Sequence, residues 1–78
     1  MKSIWTVELE ERWSYEKKFD DDSVTGEYRV VASSYEVAVE KATKAALKKS
    51  FFDDENETTE SVVEVRIVAV NRGEKIDA

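Results

Sequence analysis

Carboxylates are the one chemically versatile group this chain has in quantity, and eight of them fall in two short stretches. Asp20, Asp21 and Asp22 form the first; Asp53, Asp54, Glu55, Glu57 and Glu60 form the second, with no base among them. Such groups can act in pairs as acid and base in hydrolysis, hold calcium, or present a negative surface to a cationic partner. Hydrolysis needs a concave pocket that a chain of 78 residues hardly builds. Neither stretch has the alternate-residue acids, central glycine and closing glutamate of a calcium loop. The absence of His and Cys removes zinc sites, thiolate nucleophiles and imidazole acid–base chemistry. Gly26 and Gly73 are the only glycines; both read as turn residues, and no glycine-rich phosphate loop exists. No catalytic residue, metal ligand or cofactor is assigned, and the expectation is a protein that is not an enzyme. Recognition by charge is what remains.

The charge layout sharpens this. Residues 1–33 hold eight acids and five bases, residues 34–52 two acids and four lysines, residues 53–60 five acids alone, and residues 61–78 three of each. The formal net charge is −6, with no basic face of the kind that displaces counterions from phosphates. Direct nucleic-acid binding is therefore not expected. Trp5, Trp13, Tyr15 and Tyr28 offer stacking surfaces, but their alternate spacing makes them core residues first. A local acidic patch suits a basic partner; its plainer use is solubility.

These groups are positioned by a short series of elements. "IWTVELEERWSYE" alternates, with Trp5, Val7, Leu9, Trp13 and Tyr15 in phase and Glu11 as the one conflict. "GEYRVVAS" alternates again, and "KKFDDDSVTG" between them supplies turn chemistry, giving a long hairpin with Asp20–Asp22 at or near its tip. Ser33-x-x-Glu36 reads as a capping box. A helix follows to about Phe52, its Ala38, Ala42, Ala45, Ala46 and Lys49 on one side with Tyr35 and Val39. "SVVEVRIVAV" is the third strand, and residues 73–78 read as a frayed tail.

The chain thus reads as one small α+β domain, residues 1–78. It is a ββαβ fold with a three-stranded antiparallel sheet of order 2-1-3 and the helix packed on one face. A fourth strand is an option if residues 13–24 form a further piece. In that topology the helix returns toward the hairpin tip, so both acidic stretches share one end of the molecule. Leu47 and Phe51, four apart on the helix, face away from the alanine stripe beside that end. The open sheet face is partly apolar through Ile4, Val31, Val68 and Val70, a possible seam for a homodimer. With no Cys, no secretory leader and no apolar run longer than Ile67–Val70, the expected setting is a reducing cytoplasm.

The stretches "WTVELEE" (5–11) and "YRVVASSYEVAVEKA" (28–42) together resemble small strand-strand-helix-strand proteins encoded by phages and plasmids, some of which are anti-CRISPR proteins. The resemblance covers about the first half of the chain. It implies a mobile-element protein that acts in a bacterial cell by binding rather than catalysis. The expectation is an acidic inhibitor that docks on a basic, nucleic-acid-binding surface of a bacterial protein complex and blocks it. Asp20–Asp22 and Asp53–Glu60 would guide it, with Leu47 and Phe51 as apolar anchors. The alternative is a homo-oligomeric structural or accessory protein joined through the open sheet face.

Overall fold

The computed structural model describes residues 1–15, 18–55 and 57–76. Two long strands, β1 (Lys2–Tyr15) and β2 (Lys18–Ala32), lead into one helix, α1 (Tyr35–Leu47). A short strand β3 (Ser50–Asp53) and a long strand β4 (Thr58–Ile76) complete the chain. All pairings are antiparallel, in the order β2-β1-β4-β3. The α+β class and the central place of β1 agree with the sequence reading. The sheet has four strands rather than three, and the added strand comes from residues 50–53, not 13–24.

That extra strand follows from where the helix stops. Lys48 is the C-cap, its N–H donating to the Ala46 carbonyl. Phe51 and Phe52, expected on the helix, favour an extended backbone and pair with Glu60 and Thr59 across a tight hairpin. The helix begins one residue later than expected. Ser34, not Ser33, is the N-cap, its Oγ accepting from the Val37 N–H at 3.3 Å. Glu36 lies in the first turn and Lys44 in the last, where each opposes the helix dipole.

The core is thin and made by small residues over large ones. Ala38, Ala42 and Ala46, at intervals of four, are fully buried on Val7 and Leu9, with Trp5, Tyr28, Val30, Val65 and Val70 packed around them. Ala45, counted with that stripe in the sequence, is exposed. The Trp5 indole N–H donates to the Ala32 carbonyl at 3.0 Å, so its polar edge is satisfied as its ring is covered.

Strand β4 departs furthest from expectation. It runs on through Gly73 to Ile76, where Ile76 pairs with Lys2, so residues 73–76 are strand and not a frayed tail. Gly73 is no turn residue: a Cβ there would lie 2.7 Å from the Ile4 carbonyl oxygen. Register shifts opposite Arg12/Trp13, Glu8/Leu9 and Ser3/Trp5 reverse the phase of β4 three times, the first two before Val70. Val70 consequently pairs with Val7 on the helix side and joins the core, not the open face.

Candidate functional site

The ladder fixes where the acidic stretches lie. Phe19, Ser14, Ser61 and Ser50 form one row across the four strands. Tyr15 and Lys18 on one side, and Phe51–Asp53 with Thr58–Glu60 on the other, lie beyond this row at the same end of the sheet. Strand spacing puts β2 and β3 about 14 Å apart there. Asp20–Asp22 lie near the end of the hairpin, as expected, and not at its tip. Their backbone belongs to β2, in an irregular stretch where three residues face Trp13 alone between the pairs Arg12–Ser23 and Ser14–Phe19. The side chains of Asp20, Asp21 and Asp22 lie outside the described residues.

In the second stretch Asp54, Glu55 and Glu57 are exposed, while Asp53 and Glu60 are half-buried. Asp53 Oδ1 accepts the Glu55 N–H at 3.0 Å, the local bond that lets aspartate open a turn. Glu57 closes the loop with φ of 52°, a left-handed conformation that favours Gly or Asn. Beside it Phe51 and Phe52 are each 56% exposed on opposite faces of β3, the edge strand. Leu47 is exposed as expected but ends the helix, so it forms no helical i, i+4 pair with Phe51. Phe52, not Leu47, is the second exposed large apolar side chain beside Phe51. Val37 packs on the core.

The open sheet face does not supply the expected apolar seam. Ile4 and Val31 are cross-strand partners near one end, but Val70 has gone to the other face. Charged pairs cross the middle: Arg66 to Glu10 at 2.9 Å and Arg12 to Glu64 at 3.4 Å, around a shallow hollow also lined by Ser23 and Val65.

One cluster is built inside the fold. Glu11, the exception in the β1 alternation, is 1% exposed. Its Oε2 accepts from the Tyr28 hydroxyl, and Lys49 Nζ reaches both carboxyl oxygens at 3.2 and 3.3 Å. Lys49 Nζ also sits 4.7 Å from the centre of the Tyr28 ring. A Cβ on Gly26 would come within 2.7 Å of Glu11 Oε1, so this glycine, read as a turn residue, vacates space for the carboxyl group. Burial, then the neighbouring Glu11, raises the Tyr28 pKa. The bond to Tyr28, aided by Glu11 and opposed by burial, raises that of Lys49. The sequence singled out Glu11 and put Lys49 on the buried helix side; the part of Gly26 had no local signal. With its oxygens engaged from two sides, Glu11 ties β1 to β2 and to the helix exit.

Among the described residues no group of three or more acids is placed to hold a metal ion, and no helix is long and apolar enough to cross a membrane. The class that the fold defines is an α+β protein with one helix on a four-stranded antiparallel sheet. In comparisons with protein-family models, curated proteins and solved structures, nothing matches this chain.

Proposed function

We propose that this is a non-enzymatic binding protein whose acidic end docks on a basic, nucleic-acid-binding surface of a bacterial protein complex and blocks it, in the manner of an anti-CRISPR inhibitor. The observation that carries this reading is the pairing of exposed Phe51 and Phe52 with the acidic 54–57 loop on one edge strand. Aromatic side chains supply most of an interface's affinity, while exposed carboxylates set its on-rate and its choice of partner. Glu57 adds support. A charged residue holds a backbone conformation that glycine would adopt at less cost, and strain of this kind gathers at functional loops. The acidic β2 segment at the same end extends the negative field toward the partner.

The test is capture from bacterial lysate with the tagged protein, washed at low and high salt and read by mass spectrometry. A nucleic-acid-binding complex held at low salt, released at high salt, and lost with Phe52→Ser or with Asp54→Asn/Glu55→Gln/Glu57→Gln supports the reading. Capture indifferent to salt and to both variants overturns it.

A further inference from the structure

We propose that the outer edge of β4 pairs with the same edge of a second copy of this chain, antiparallel, about a two-fold axis at Val70. This does not rest on the docking reading. Strand β3 covers β4 only from Thr58 to Ser61, and Val62 N–H is taken by the Lys49 carbonyl at 3.3 Å. Beyond that point no described strand lies along the outer side of β4, through to Ile76. Some 45 Å of ladder, at about 3.3 Å per residue, is left open. The usual protections of an edge are short length, proline and lysine. Here there is no proline, the first lysine is Lys75, and Val63, Ile67 and Val68 are exposed along the strand. The opposite edge, β2, carries Asp20–Asp22 and Glu27, so two such edges would repel. Strand β4 mixes both signs beyond Ser61, with Glu64 and Glu74 beside Arg66, Arg72 and Lys75, a net of only +1.

The register identifies the partner as a copy. Strand β4 breaks its alternation at Val68, opposite Glu8/Leu9, and again at Gly73–Glu74, opposite Ser3/Trp5. A regular strand laid along it would fall out of phase at each break. Its own copy, laid antiparallel about a two-fold at Val70, loses phase only where Val68 meets the partner's Arg72 and Ile67 the partner's Gly73. It regains phase from Arg66 against the partner's Glu74 outward, because the two breaks offset each other. Ala69 then meets the partner's Asn71, Val65 the partner's Lys75, and Arg66 the partner's Glu74, each pair on one face of the sheet. A two-fold one residue earlier would set Glu64 against the partner's Glu74 and match Arg66 with the partner's Arg72 from opposite faces. One at Val68 would match Glu64 with Arg72, which lie on opposite faces. The Val70 register also ends with Glu64 against the partner's Ile76, short of β3, so the two do not compete. The result is a six-strand run, β2-β1-β4-β4-β1-β2, with a β3 at each end of the seam and the acidic ends facing opposite ways.

Sedimentation velocity of the full chain tests this, with circular dichroism to confirm folding. The wild type is expected to dimerise with a Kd of about 1–100 µM. Glu74→Arg and Arg66→Glu should each weaken it about tenfold or more, and the double exchange should restore it to within about threefold. The chain has no native thiol, so Val70→Cys should cross-link to its own copy on mild oxidation while Val63→Cys, outside the seam, should not. Glu74 is exposed and makes no core contact, so that variant carries the charge test should Arg66→Glu misfold. A wild type that stays monomeric at hundreds of micromolar overturns the proposal. So does a dimer untouched by Glu74→Arg, or one that Val70→Cys fails to cross-link.

Discussion

Glu11 puts a carboxyl group where the strand alternation demands a hydrocarbon, and three other residues are arranged around that choice. Tyr28 and Lys49 satisfy it and Gly26 makes room for it. Tyr28→Phe, which leaves a buried acceptor short of a donor, should cost about 1.5–3 kcal/mol in urea unfolding. Lys49→Met should cost less, because the Lys49 side chain is 42% exposed and water screens its share. Both pKa shifts are upward, from ordinary values of 10.0 for Tyr28 and 10.5 for Lys49. Above those values the unfolded chain has lost protons that the fold still holds, so stability is full below about pH 10 and falls as pH rises through the folded values. Alkaline melts should show that fall, with part of the tyrosinate absorbance rising late; Tyr28→Phe should remove the late component. Gly26→Ala should destabilise by about 1–3 kcal/mol in the wild type, from overpacking against Glu11. In a Glu11→Ala background most of that cost should vanish, a coupling that a double-mutant cycle reads directly.

At the scale of elements, alternation and helical spacing carried β1, most of β2, the helix and its alanine stripe, because each buries one face and periodicity reports burial. The 50–53 strand left no such trace. Four residues are too few for a period, and Phe51, four residues after Leu47, falls in step with the helical spacing. What stops the helix is the hairpin partner in β4, a non-local cause. Strand β4 was legible as a strand, but its bulges moved Val70 to the core and took an apolar residue from the face where strict alternation placed it. The acidic end survived these errors because it depends only on strand direction, whereas the Leu47–Phe51 anchor pair depended on the helix boundary and did not. The N-cap shows the same one-residue sensitivity. Ser34→Ala should cost about 1 kcal/mol, and Ser33→Ala, whose side chain makes no cap, a few tenths at most; thermal melts of the two variants separate them.

The whole molecule has an uneven charge economy. It is long and thin, with extents of 48 × 21 × 14 Å, and its acids gather toward one end of the long axis while the Arg–Glu pairs of the open face cancel along the middle. Like charges within a Debye length, about 8–10 Å at ordinary salt, repel one another, so the loop carboxylates oppose folding unless contacts repay them. Asp53 is repaid by the Glu55 N–H. Asp54→Asn/Glu55→Gln/Glu57→Gln leaves that bond in place and removes only charge. At low salt this variant should melt about 2–5 °C above the wild type, by relief of repulsion. The gain should disappear at high salt, where the wild type is screened already. The same variant should lose the salt-labile capture of a basic partner, so stability and binding would move in opposite directions, as they do where a charged site is kept at the expense of the fold. A melt that drops instead would mean these acids make stabilising contacts; a melt that rises with capture intact would mean that the loop serves solubility alone and that docking lies elsewhere.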